Sequence, residues 1–189
     1  MWFEESPVPG VWTIELDPAE DERGSFARTF DVDEFRARDL QMEVVQCNAA
    51  RTRQRGTLRG MHYQAKPHGE PKLVRCVRGG AFHVALDLRP ESPTYCGWHG
   101  VELSAENGRS LYLPAGVAHG SQTLVDDSEV LYLMGHRYVP EAARGARWDD
   151  PAFAITWPAV DGARLLSARD RSFADWNRTS PASVPLPST

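Results

Sequence analysis

The chain has 189 residues, 41% hydrophobic and 10% aromatic, which is enough apolar material for one domain with a sizeable core. A net charge of -5 excludes broad nucleic-acid binding, which needs a basic surface, and leaves a small anion as the natural partner of any local arginine cluster. No apolar run approaches the roughly 20 residues that cross a bilayer, so no membrane partner is expected.

In chain order, the apolar start at Trp2 and Phe3, followed by Val8 to Leu16, reads as a strand that can be exchanged between subunits. Asp31 to Leu40 is a short helix carrying Phe35, with Asp31 or Asp33 as its cap. Gly56 to Gln64 reads as a strand. Leu73 to Arg89 is a hairpin about Gly79-Gly80, its second arm placing Phe82, Val84, Leu86 and Leu88 on a dry face and Ala81, His83, Ala85 and Asp87 on the other. Ser110 to Pro114, Ser121 to Val125 and Glu129 to Met134 continue the alternation, separated by Pro114-Ala-Gly116 and Asp126-Asp127 turns. A helical turn near Ser172 to Trp176 follows, and the Pro- and Ser-rich end from Thr179 to Thr189 reads as a mobile tail behind a single domain over 1–178. Many short strands at close spacing indicate a sandwich or barrel.

Cys47, Cys76 and Cys96 are odd in number with no Cys-x-x-Cys pair, and the amino terminus is acidic where a secretion signal is basic. The reading is three reduced thiols in a cytoplasm, each a small core residue.

Two polar blocks stand out. Gly56 to Gln64 sets Arg59 and His62 three positions apart, one suited to hold an anion and the other to move a proton. Pro114 to Gly120 places His119 just after a turn, at the mouth of a barrel, and together the blocks suggest a cupin-type site.

The order of motifs resembles the dTDP-4-dehydrorhamnose 3,5-epimerase family, the sugar-nucleotide epimerases of deoxysugar pathways. The resemblance rests on collinear blocks over roughly residues 5 to 175. They run from Asp21-Glu-Arg23-Gly24-Ser-Phe26 through Gln46-Cys-Asn48, Leu58-Arg59-Gly60-Met-His62-Tyr-Gln64, Lys72-Leu-Val-Arg75 and Asp87-Leu-Arg89 with Ser92-Pro93-Thr94. Ala118-His119-Gly120, Tyr132, Tyr138, Arg147-Trp-Asp149-Asp150-Pro151 and Ser167-Ala-Arg169-Asp170 complete the series.

The resemblance implies an all-β double-stranded β-helix, a cupin jelly roll with short peripheral helices, in a homodimer whose subunits lend residues to one another. It implies a metal-independent isomerase without cofactor, acting on a nucleotide-diphosphate 4-keto-6-deoxyhexose at C3, C5 or both. His62 would be the base, Asp170 its orienting carboxylate, Tyr132 the opposite acid and Lys72 the cation for the enolate oxygen. Arg23, Arg59 and Arg169 would contact phosphates or sugar. Phe26, Gln46, Asn48 and Tyr138 would line the pocket beside position 28, and His119 would bond the sugar.

Three positions depart from the family pattern: Arg28 for a usual glutamate, His83 for a frequent aspartate, and Ser121 for the phenylalanine that commonly follows Ala-His-Gly. A two-residue turn at Gly79-Gly80 would bring Lys72 about opposite Asp87, on the face that carries His83. Intact catalytic machinery with a changed sugar, nucleotide or set of inverted carbons is the expectation, including action at C3 alone or C5 alone. Two other classes remain in view: a metal-dependent cupin using His62, His119 and Glu70, and a sugar-nucleotide binder without turnover.

Overall fold

The computed structural model describes residues 1–177, so the expected tail from Thr179 lies outside the described residues. The chain begins with a hairpin of β1 (Trp2–Glu5) and β2 (Trp12–Glu15), then a small separate hairpin of β3 (Ala19–Asp21) and β4 (Gly24–Phe26). Helix α1 (Val32–Arg36) leads into β5 (Gln46–Thr52), β6 (Leu58–Gln64), β7 (Lys72–Arg78), β8 (Gly80–Asp87) and β9 (Trp98–Ser104). The strands β10 (Ser110–Leu113), β11 (Val117–Thr123), β12 (Ser128–Met134) and β13 (Ala143–Gly145) follow, and α2 (Ala168–Arg171) comes near the end.

Two antiparallel sheets face each other, one in the order β1-β2-β10-β7-β12-β5 and the other β13-β6-β11-β8-β9. Alternate residues of both meet in the middle: Val74, Leu111, Leu113 and Val130 from the first pack with Ala85, Leu103 and Val117 from the second. The outer face of the second sheet is also dry. Phe82, Val84, Leu86 and Leu88 pack there, as the alternation in β8 anticipates, under Phe153, Trp157, Leu166 and Trp176 of the carboxyl-terminal segment. On the first sheet, Phe35 of α1 covers Ile14, Leu73 and Tyr112, its ring edge-on to those of Phe3, Phe30 and Tyr112.

Several expectations change here. Leu73 to Arg89 is two strands but not a hairpin, because Gly79, at φ +70°, turns the chain from one sheet to the other. A Cβ at Gly79 would lie 2.6 Å from Ser128 Oγ, so the crossover needs glycine for space as well as for conformation. Lys72 is therefore paired with Leu113 and Met134, while Asp87 pairs with Val117 in the opposite sheet. Strand β11 begins at Val117 rather than Ser121, which puts His119 inside a strand.

The first helix is shorter than expected and is capped by Asp31, whose carboxylate accepts from the backbone of Asp33 and Glu34. The last helical turn lies at Ala168–Arg171, before the expected Ser172 to Trp176. Val8, Val11 and Ile14 are buried in the core, β2 pairs with β10 of the same chain, and β1 is an edge strand with Trp2 exposed. Cys76 and Cys96 are buried as expected, but Cys47 is exposed on the edge strand β5.

One irregularity interrupts the ladder of the second sheet. His62 pairs with His119 and Arg59 with Ser121, so three steps along β6 match two along β11, and the extra residue is Gly60 at φ +137°. Its missing Cβ would stand 2.5 Å from the Gly120 Cα. Gly60→Ala is expected to cost about 1–3 kcal/mol of stability, measured as a lower urea midpoint at unchanged slope; an unchanged midpoint would mean that the two strands separate freely.

Candidate active site

A cavity of about 700 Å³ opens between the two sheets, within the size range of small-molecule sites. From the second sheet come Arg59 and His62 of β6 with His119 and Ser121 of β11; from the first come Asn48 of β5, Lys72 of β7 and Tyr132 and Met134 of β12. The segment from Leu165 to Asp170 closes one side, held to the start of β6 by a parallel bridge between Thr57 and Leu165 and by a 2.9 Å bond from Leu58 N–H to the Leu165 carbonyl.

In a regular strand, Arg59 and His62, three apart, would face opposite ways. The extra residue at Gly60 resets the alternation, so that both line the cavity while Met61 between them is fully buried in the outer cluster. The Gly60 N–H, released from the ladder, donates to Asp170 Oδ2 at 3.3 Å. Asp170 Oδ1 in turn lies 2.7 Å from His62 Nε2, leaving Nδ1 as the ring nitrogen available to a ligand. Ser167 caps α2 by accepting from the Asp170 N–H at 3.0 Å, which fixes the carboxylate from the backbone side. Burial pushes the Asp170 carboxyl up, but His62 and the Gly60 and Ser167 hydrogen bonds outweigh it and hold it below the ordinary 3.8.

Lys72 is buried and its Nζ lies 2.9 Å from Glu70 Oε1 and 3.3 Å from the His62 carbonyl oxygen. The other Glu70 oxygen is buried and has no partner among the described residues. Across from His62, Tyr132 sits edge-on to the His119 ring at 5.9 Å. Burial raises its phenol above the ordinary 10, opposed by the Arg59 charge and a hydrogen bond with Ser121, so it keeps its proton at neutral pH. His119 Nε2 lies 3.0 Å from Nδ1 of the wholly buried His83. Burial takes His83 down to about 3, and burial with the nearby His83, Lys72 and His62 takes His119 well below its usual value.

Arg169 lines the cavity and its Nε is buried with no partner among the described residues, while Arg59 Nε donates to Thr52 at 3.3 Å. Gln46 stands beside the cavity, donating to Asn48 at 3.0 Å and accepting from the backbone of the exposed Tyr138 at 3.3 Å. Arg23, Phe26 and Arg28 are not brought to this cavity. Arg23 pairs with Asp21 on the β3–β4 hairpin, Phe26 is 82% exposed, and Arg28 pairs with Asp31 at the start of α1. Sequence reading missed Glu70 as the partner of Lys72, His83 as the partner of His119, and the Leu165–Leu166 wall; no local motif announces contacts made across the sandwich.

A family profile described as dTDP-4-dehydrorhamnose 3,5-epimerase matches residues 5–178. The chain belongs to this family. A curated dTDP-4-dehydrorhamnose 3,5-epimerase from Sinorhizobium fredii is 42% identical over 172 residues, covering 91% of this chain and 88% of the relative. The solved rmlC epimerase of Mycobacterium tuberculosis superposes with a TM-score of 0.89 at 37% identity, covering 93% of this chain and 88% of the other. ChmJ, a 3'-monoepimerase from Streptomyces bikiniensis solved with dTDP-quinovose, gives 0.83 at 34% identity, covering 90% and 85%.

The fold is accordingly the cupin-like double-stranded β-helix of these epimerases, with two short helices outside it. In the metal alternative, His62, His119 and Glu70 would have to ligate through His62 Nδ1, His119 Nδ1 and Glu70 Oε2, because the other atom of each is paired with Asp170, His83 and Lys72. Among the described residues no group of His, Cys, Asp or Glu is placed to hold a metal ion, and no helix is long and apolar enough to cross a membrane.

The depressed Asp170 carboxyl stabilises the fold above the unfolded value near 3.8, and this contribution is lost as pH falls through the lower folded value. Carbon-13 NMR of the Asp170 carboxyl is expected to titrate below 3.8, and ultraviolet titration of wild type against Tyr132→Phe should assign one phenol that ionises above pH 10. A carboxyl midpoint above 3.8 or a phenol midpoint below 10 would overturn the corresponding assignment.

Proposed function

We propose that this chain inverts C3 and C5 of a deoxythymidine-diphosphate 4-keto-6-deoxyglucose by removing the proton beside the ketone and returning one to the opposite face. The observation that carries this reading is the placement of His62 and Tyr132 on facing sheets across one cavity, with Lys72 between them in sequence and beside Tyr132 on the same sheet face. Inversion requires a base and an acid on opposite sides of the reacting carbon, because a single group acting from one side regenerates substrate.

In this reading His62 Nδ1 takes the proton, and Asp170 holds the ring and balances the imidazolium that forms. Lys72 faces the enolate oxygen, a charge that develops mainly in the transition state and is the right target for a fixed cation. Tyr132, kept protonated by burial, returns the proton. Arg59 and Arg169 take the phosphates, and Asn48, Gln46 and Tyr138 border the nucleotide and sugar.

The reading extends to a homodimer. Among the described residues the β3–β4 hairpin pairs only with itself, all six of its strand residues are exposed, and it carries Arg23 and Phe26 away from this chain's own cavity. We place that hairpin, with Arg28 just beyond it, over the site of a second subunit. Three free cysteines fit a reducing cytoplasm.

A second reading, inversion at C3 alone, is favoured by the Ser121 contact to Tyr132, since the reach of that phenol decides which carbon receives a proton. Proton NMR in heavy water separates the two. Wild type is expected to wash out both the C3 and C5 signals; loss at C3 alone selects the second reading, and no loss at either overturns both. His62→Ala should slow exchange about 10²- to 10⁴-fold, whereas Tyr132→Phe should exchange protons while losing inversion.

Light scattering is expected to give a dimer. Mixing inactive His62→Ala with inactive Arg23→Ala should restore activity, because a mixed dimer contains one site with both residues intact. A stable monomer, or mixtures that stay inactive, would overturn the shared site.

A further inference from the structure

His83 is placed in the middle of β8 with 0% exposure, and its ring lies nearly parallel to that of His119, 17° apart at 5.2 Å between centroids. The 3.0 Å separation between His83 Nδ1 and His119 Nε2 leaves room for one shared proton, so one ring donates and the other accepts. Nε2 of His83 decides which. That nitrogen is buried and, among the described residues, has no partner. A proton there would be an orphaned buried N–H, whereas a bare lone pair there is the less costly vacancy. The His83 proton therefore belongs on Nδ1, where it has an acceptor. His119 Nε2 accepts it, and the proton of a neutral His119 is left on Nδ1 in the ring that lines the cavity.

We propose that His83 is a positioning residue: by donating from Nδ1 it fixes His119 as the neutral Nδ1–H tautomer, a hydrogen-bond donor to the bound sugar. The tautomer stands on geometry alone, while the sugar contact rests on the function proposed above. The groups facing His119 are His83 from β8, His62 from β6, Lys72 from β7 and Tyr132 from β12, none of them a carboxylate. A neutral donor at His119 bonds a hydroxyl or carbonyl without adding a second cation beside Lys72, so the enolate charge is left to the lysine.

Two-bond proton–nitrogen correlation spectra of nitrogen-15 histidine-labelled protein read the tautomers directly. Between about pH 6 and 8, around the ordinary imidazole range, both His83 and His119 are expected to carry hydrogen on Nδ1 and none on Nε2. His83→Asp, which supplies only an acceptor, should draw a proton onto His119 Nε2 at pH 7, a change that loss of packing alone does not produce. An Nε2–H or doubly protonated His119 in wild type would overturn the tautomer, as would His83→Asp leaving His119 unchanged.

Saturating the protein with deoxythymidine diphosphoglucose, as followed by calorimetry, should then move the His119 Nδ1 resonance; saturation without that shift would overturn the sugar contact. Absence of any calorimetric binding would instead count against the proposed function, and with it the sugar contact, while the tautomer result would stand.

Discussion

A single extra residue in β6 organises the cavity. Because strand side chains alternate with a period of two, Arg59 and His62 share the interior only if the ladder slips by one between them, and the slip occurs at Gly60. The same slip frees the Gly60 N–H to meet Asp170, and Asp170 holds the outer nitrogen of the His62 ring. Glycine is required at that point because Gly120 of the neighbouring strand occupies the space where a side chain would begin. The orientation of the central histidine thus traces back to a backbone irregularity rather than to the histidine's own packing.

Around it the structure meets the cost of placing ionisable groups inside a sandwich by pairing them. Lys72 faces Glu70, His62 faces Asp170, and His119 faces His83. Removing one member of a buried ion pair typically costs about 3–5 kcal/mol because the other charge is left unpaired. For Lys72 and Glu70, both buried, pairing is therefore a condition of folding. The pairs also differ in kind: one imidazole is backed by a carboxylate and the other by a second imidazole.

The facing sheets supply the remaining geometry. A cavity lined by two sheets presents a ligand with groups on both of its sides, which is what an inversion needs and what a groove on one surface does not offer. The opposite half of the interior is closed by Val8, Val11, Leu111 and Leu113, so the polar groups concentrate at the open end. Not every conspicuous block belongs there. Asp87, Arg89, Ser92 and Thr94 form a closed hydrogen-bonded cluster in which the buried carboxylate accepts from all three partners, an arrangement that holds the end of β8.

Strand existence and the candidate residues were legible in the sequence, because alternation in β8, β10 and β12 and the histidine-bearing blocks are local properties of the chain. Partners were not. The same alternation fits a hairpin or a crossover, and only packing against the second sheet decided that Gly79 carries the chain across, separating Lys72 from Asp87 and placing His83 behind His119. Likewise Arg23 and Phe26 belong to the same collinear series of blocks as the site residues, and Arg28 lies just beyond them, yet one chain's cavity does not include them, since order along the chain carries no information about distance in space. The sequence by itself determined the strands, the family resemblance and the inventory of acids, bases and cations; the tertiary structure decided which of them meet, because side-chain facing depends on register and register is set by contacts far apart in the chain.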